Sequence, residues 1–263
     1  MVKPARTVRP RTRVPIMSTA VDNVSMSETL DLIESFIAQG KPHLIVTANV
    51  DHLMLLEKNE AFRAAYARAD LITCDSIPLK WALSILGRPI KERVAGADLI
   101  GPLCARAAQR GIKLFFLGAA PGVAAKAKEV LERRYPGLNI VGTYAPPVMP
   151  LQELLRDQES IRRVREARPD VLLVAFGAPK QEIWLDAMRD DLGVPVGIGV
   201  GAAFDFAAGV IKRAPAWVQN AGLEWLWRLL QEPRRLWRRY FLMDARFVFF
   251  VIKEKLRRLF AKR

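Results

Sequence analysis

Alternating strand-like and helix-like segments predict an α/β fold: a Rossmann-like parallel sheet flanked by helices, followed by a C-terminal helical amphipathic appendage. Three observations carry that expectation. Six short runs, HLIVTANV (43–50), DLITCD (70–75), KLFFLGA (113–119), NIVGTY (139–144), DVLLVAFG (170–177) and PVGIGVG (195–201), are largely apolar and end in small or polar residues. Unbroken apolar runs of this length suit strands buried on both faces, the condition of a parallel sheet. Between them lie segments such as PGVAAKAKEVLERRY (121–135) and PKQEIWLDAMRDDL (179–192), with proline near the first helical turn and apolar residues at helical spacing. Third, the formal charge of +14 is unevenly placed: residues 1–15 carry five basic and no acidic side chains, and residues 212–263 carry 14 basic and 4 acidic.

The chain therefore divides into a flexible basic tail over 1–15, an α/β core over 16–211 and a basic, aromatic appendage over 212–263. With 263 residues, 51% of them hydrophobic, there is enough chain for one sizeable core and an appendage. The nearly neutral core and basic ends point to anionic partners at the ends. Two cysteines, Cys74 and Cys104, cannot make a disulfide framework and fit a reducing compartment. The N-terminal MVKPARTVRPRTRVP lacks the apolar stretch of a signal peptide. The run FVFFVI (247–252) has six apolar residues, far short of the ~20 that a spanning helix needs.

In a parallel sheet, ligands bind outside the carboxyl ends of the strands, so the residues closing each run form the candidate site. Thr47 and Asn49 close the first, where a buried strand would stay apolar; ligand contact and helix capping both suit them. Asp75 closes the second. A carboxylate there is costly to desolvate without a purpose, and its alternative role is to cap the helix opening at Ser76–Pro78. Gly118, Gly177, and the trio Gly197, Gly199 and Gly201 sit at later strand ends, where backbone can approach a phosphate or simply turn tightly. No GxxxxGK[ST] occurs, and after Gly199 and Gly201 the third position of a dinucleotide fingerprint is Phe204. These absences count against a nucleoside triphosphatase and a dinucleotide dehydrogenase. With two histidines, His43 and His52, no ligand spacing and no Asp-x-Asp clasp, neither a metal nor a cofactor is expected. His52 is expected to be a surface or capping histidine.

The arm RAPAWVQNAGLEWLWRLLQEPRRLWRRYF (213–241) holds four tryptophans among arginines. With Phe247, Phe249 and Phe250 beyond it, the large apolar groups exceed one narrow helical stripe and suit an anionic membrane surface. A nucleic-acid-binding α/β protein using the same arm is the alternative. It leaves Thr47, Asn49 and Asp75 unused, so no nucleic acid is expected. An apolar arm off the membrane also leaves a homo-oligomer open.

Seven pieces stand in the order of a known family: TANVDHL (47–53), ADLITCDSIP (69–78), RVAGADLI (93–100), FFLGAAPG (115–122), FGAPKQEIW (176–184), GVGAAFDFAAGVIKRAPAW (199–217) and GLEWLWRLLQEPRRLWRR (222–239). On these the chain resembles the WecG/TagA/CpsF bacterial glycosyltransferases. The resemblance implies inverting, metal-independent transfer of N-acetylmannosamine or a hexose such as glucose. The donor would be a UDP-sugar and the acceptor a polyprenyl-diphosphate-linked saccharide at the cytoplasmic face of the inner membrane. By similarity Asp75 is the general base, with Thr47 and Asn49 lining the same pocket. Gln181 matches a glutamine near the donor diphosphate, Asp205 an acidic residue near the nucleoside, and Arg228, Arg235 and Arg238 the arginines by which the appendage completes the site. One departure stands out: Ser76 follows Asp75 where the family usually has glycine.

Overall fold

The computed structural model describes residues 11–215, 217–218, 221–231 and 245–260. A two-stranded antiparallel hairpin, β1 (Arg13–Ile16) and β2 (Thr19–Asp22), precedes a six-stranded sheet. The sheet contains β3 (His43–Ala48), β4 (Leu71–Cys74), β5 (Lys113–Gly118), β6 (Asn139–Tyr144), β7 (Val171–Ala175) and β8 (Val196–Gly199). All six are parallel, in the order β4-β3-β8-β7-β5-β6. Each expected strand is present, and the fold class is the one that their apolar runs imply.

Side chains alternate between faces along a strand, which sorts the core into two layers. Ile45, Leu114, Leu173 and Ile198 face a layer built by α1 (Met26–Gln39), α5 (Gly96–Arg110), α6 (Val123–Arg134) and α11 (Ala203–Ala207). Leu44, Val46, Leu172 and Val174 face the opposite layer. That layer holds α2 (Val50–Leu56), α3 (Glu60–Ala67), α4 (Ile77–Ile85), α7 (Leu151–Leu154), α8 (Gln158–Ala167), α9 (Lys180–Ala187) and α10 (Arg189–Leu192). From the arm, α12 (Glu224–Gln231) and α13 (Ala245–Phe260) are described, and α13 sends Phe247 and Val251 into this second layer.

The basic N-terminal segment, expected as a flexible tail through residue 15, is already a strand from Arg13. Val14 and Ile16 are buried. Asp22, at the end of β2 and almost fully buried, accepts a hydrogen bond from the Ile72 backbone N–H of edge strand β4 at 2.8 Å. It also pairs with Arg11 at 3.0 Å and Arg13 at 3.3 Å. Two of the tail's cations thus neutralise a buried carboxylate that holds the hairpin to the sheet edge.

Candidate active site

Parallel register sets four strand ends side by side. Ala48 lies opposite Cys74, and Val174 opposite Gly199, so the turns after β4, β3, β8 and β7 open onto one crevice. From β3 the chain moves to β4 on one side, whereas β8 is paired with β7 on the other. This is the kind of switch point where open α/β sheets take ligands. A cavity of about 660 Å³ lies there, lined by Thr47, Asn49, Asp75, Gln181 and Asp205 together. That volume is ample for a nucleotide-sized ligand.

Asp75 is held from three sides. Its backbone N–H donates to the Ala48 carbonyl at 2.7 Å. Its carboxylate accepts from the Thr47 hydroxyl and from the Gly96 N–H at the start of α5. The N-cap of α5 is Ala95, whose side chain offers no acceptor, so Asp75 supplies one from the neighbouring strand end. The helix that follows Asp75 is capped instead by Ser76, whose Oγ accepts the Leu79 N–H at 3.4 Å. Ser76 therefore has a structural role. Burial pushes the Asp75 carboxyl from 3.8 up to about 7, against the opposing pull of Arg93, Thr47 and Gly96 and with a further push from Glu224. A carboxyl poised near neutrality suits a general base.

Thr47 is buried, its Oγ1 also 3.4 Å from the Gly199 carbonyl. Asn49 combines both roles open to it: it lines the cavity, and its Oδ1 caps α2 by accepting the His52 N–H at 3.0 Å. His52 itself corrects the expectation of a surface position. It is buried, with Nδ1 2.6 Å from the Tyr66 hydroxyl.

Gln181 is a crosstie. Its Oε1 accepts the Gly177 N–H at 3.1 Å and the Gly201 N–H at 3.2 Å, joining the turns after β7 and β8. Its Nε2 donates to Glu182 Oε1 at 2.7 Å. The glycine trio divides accordingly: a Cβ on Gly197 would lie 2.7 Å from Leu185, and one on Gly199 2.8 Å from Gln181 and 3.1 Å from Glu182. Those two glycines admit α9 against the sheet, whereas Gly201 lines the cavity. Glu182, which the sequence did not single out, is fully buried, and burial pushes its carboxyl up to about 7 although Gln181 pulls the other way. Its Oε2 has no hydrogen-bond partner among the described residues.

A second set went unassigned in the sequence: an ion lattice at the cavity wall. Arg93 reaches Asp98 at 2.5 Å and Glu224 at 3.6 Å, while Arg213 reaches the same two carboxylates at 2.5 Å and 3.4 Å. Glu224 belongs to α12, so the lattice ties the arm to the core. Arg213 Nη2 is buried without a hydrogen-bond partner among the described residues. Of the arm's three expected arginines, Arg228 is placed on α12 with its side chain outside the described residues, and Arg235 and Arg238 lie outside them altogether. Among the described residues no three His, Cys, Asp or Glu side chains cluster as metal ligands.

The sequence model of the glycosyl transferase WecG/TagA/CpsF family matches residues 14–261. A relative from Bacillus spizizenii, an N-acetylglucosaminyldiphosphoundecaprenol N-acetyl-beta-D-mannosaminyltransferase, is 33% identical over 236 residues, 89% of this chain and 88% of the relative.

Proposed function

This chain belongs to the WecG/TagA/CpsF family of glycosyltransferases, and from that premise we propose that it moves a sugar from a UDP-sugar to a polyprenyl-diphosphate-linked saccharide in cell-surface or exopolysaccharide synthesis. The sugar is N-acetylmannosamine, the unit named for the Bacillus relative, or a hexose such as glucose. The observation that carries the reading is Asp75: one carboxyl near neutrality, at the sheet's ligand edge, oriented by Thr47 and Gly96.

The chemistry is a single inverting displacement. Asp75 takes the proton from the acceptor hydroxyl as its oxygen attacks the donor's anomeric carbon. The bond from that carbon to the diphosphate breaks on the far side, and UDP leaves with the electron pair. Only one protein base is required, because water attacks no glycosyl-enzyme intermediate. Arg228, Arg235 and Arg238 of the arm, beside the wall that Arg93 and Arg213 form, oppose the charge on the departing diphosphate without a divalent ion. Asp205 and Gln181 lie on the donor side.

The enzyme works as a peripheral protein at the cytoplasmic face of the inner membrane, attached by its arm. Among the described residues no helix is long and apolar enough to cross a bilayer. The deciding experiment offers purified protein a lipid-linked acceptor and a panel of UDP-sugars, scored by UDP release. Release from one donor identifies the sugar. Failure with every donor, alongside tight salt-sensitive binding of single-stranded nucleic acid, would overturn the reading in favour of a binding protein.

A further inference from the structure

Exposed apolar side chains are concentrated on one part of the surface. Of the twelve large hydrophobic residues exposed among the described ones, ten belong to α4 or to the C-terminal arm. The arm's share fits the attachment proposed above. The share of α4 does not follow from it, because α4 belongs to the catalytic core and starts two residues after Asp75. This helix buries Leu79, Ala82 and Leu83, yet turns Trp81 and Ile85 outward, each 51% exposed. A core helix normally presents polar residues on its outer face.

Helix α13 is built the same way. It buries Phe247 and Val251 and exposes Val248, Ile252 and Leu256, spaced four residues apart along one stripe, with Phe249 alongside. Two contacts join it and its arm to α4. Lys255 Nζ donates to the Ile85 carbonyl at 2.7 Å, and the Trp81 ring packs so close to Gly222 that an added Cβ would lie 2.7 Å from it. The apolar surface also continues into the cavity, whose lining includes Ile77, Pro78 and Val248.

We propose that the outer face of α4 is the core's own half of a bilayer-seating surface, completed by α13 and occupied by anionic phospholipid, with the mouth of the cavity opening at the lipid. The proposal rests on the glycosyltransferase reading and extends it, since there the arm alone attaches. Charge selects this occupant over a second copy of the chain. Arg246 and Lys253 lie beside the stripe on α13, in a segment with 14 basic and 4 acidic side chains. Self-association through this face would press like charges together, whereas an anionic leaflet neutralises them. Seating the core as well as the arm fixes the cavity's orientation, so a lipid-anchored acceptor meets Asp75 without leaving the membrane.

The test places an environment-sensitive NBD fluorophore on an Ile85→Cys variant of the full chain. Cys74 and Cys104 are buried with their thiols pushed up to about 12, so the label goes to the new site. Vesicles of phosphatidylglycerol and phosphatidylethanolamine are added, and flotation is measured on the same samples. The expected result is a blue shift with several-fold brighter emission as the protein floats. In support, an Ile85→Ser variant should partition about tenfold more weakly, the scale of losing one large apolar contact. Its melting temperature and its turnover of a water-soluble acceptor analogue should be unchanged. Flotation with an unshifted label would overturn the role of α4 and leave arm attachment standing. A label already shielded without vesicles, in a protein sedimenting as a dimer, would give the face to a second copy and overturn the proposal. A protein that neither floats nor shifts, yet releases UDP with the soluble acceptor, would overturn both membrane assignments and leave the glycosyltransferase reading intact.

Discussion

Replacing Asp75 by Asn should abolish transfer and at the same time stabilise the ligand-free protein, because one displaced pKa governs both. The carboxyl stands at about 7 rather than 3.8, chiefly through burial. A base with that value is only about 1% ionised at pH 5 and roughly 90% at pH 8, so kcat/KM should climb about 100-fold between them. A carboxylate left near 3.8 would be about 94% ionised at pH 5 and give a nearly flat profile. The stability effect has the opposite sense. The folded state binds this proton more tightly than the unfolded chain, so Asp75 costs nothing below pH ~4 and destabilises progressively as pH rises to ~7. At 1.36 kcal/mol per unit the ceiling is about 4 kcal/mol, reduced where cavity water reaches the carboxylate. Asn carries no charge to desolvate and keeps one acceptor for Thr47 and Gly96. The assays are UDP release from pH 5 to 9 and thermal melts at pH 5 and 8. The variant should lose ~10²–10⁴-fold in turnover and melt higher than wild type at pH 8, and by less than half as much at pH 5. A flat wild-type profile, with the variant keeping more than about a tenth of turnover, would sink Asp75 as the base; equal melts at pH 8 would sink the burial account.

The neighbours of Asp75 should move its kinetic pKa in predictable directions. Thr47→Val removes a hydroxyl that favours the carboxylate, so the pH–rate profile should shift upward, with several-fold slower turnover at pH 7 that recovers near pH 9; an unchanged midpoint would show that the hydroxyl does not serve Asp75. Glu224→Gln removes a charge that pushes Asp75 up and should shift the profile downward while raising KM, since Arg93 and Arg213 lose a partner; an upward shift would contradict the proposed electrostatics. At Glu182, Gln preserves an acceptor for Gln181 Nε2 and Leu does not, so Leu should cost about 1–3 kcal/mol of stability and weaken UDP binding while Gln does neither. Equal melts and equal UDP affinity for the two variants would remove Glu182 from the crosstie.

The sheet was legible because buried parallel strands are written as largely apolar runs, clearest in β5 and β7 and weakest in edge strand β6, where only Ile140 is buried. Asp75 was legible for the related reason that a charge at the end of such a run is conspicuous. What a local pattern suggests can still be assigned to the wrong partner: Asp75 serves a helix start, but that of α5 rather than α4. The glycine trio looked like one phosphate-facing turn, yet Gly197 and Gly199 make room for Leu185, Gln181 and Glu182 of the helix packed behind. His52 looked like a surface or capping residue because its partner, Tyr66, is fourteen positions away. The hairpin's hold on β4 through Asp22 spans fifty positions, and the Arg93–Glu224 contact more than a hundred. Such pairs have no signature in spacing, since the fold alone brings them together.

The ion lattice explains why a metal-independent transferase built on this sheet would recruit its arm. Arg93 and Arg213 face the cavity, but Asp98 and Glu224 already share them, so these four groups carry no net charge. Such a set positions its members firmly and leaves little surplus positive potential for a diphosphate. The surplus has to come from elsewhere, and the segment that the lattice anchors carries further arginines in its sequence. Glu224 opens α12, and Arg228 follows it four residues later, the spacing that puts two positions on the same helical face. Arg235 and Arg238 continue the series in sequence. Anchoring at Glu224 thus does two things with one carboxylate: it holds Arg93 and Arg213 at the wall, and it fixes the start of the helix that carries the next cation. A membrane that seats α13 and α4 would act on the same segment from its other end, between residues 231 and 245 of the chain, so lipid attachment and charge supply would meet in one stretch of sequence.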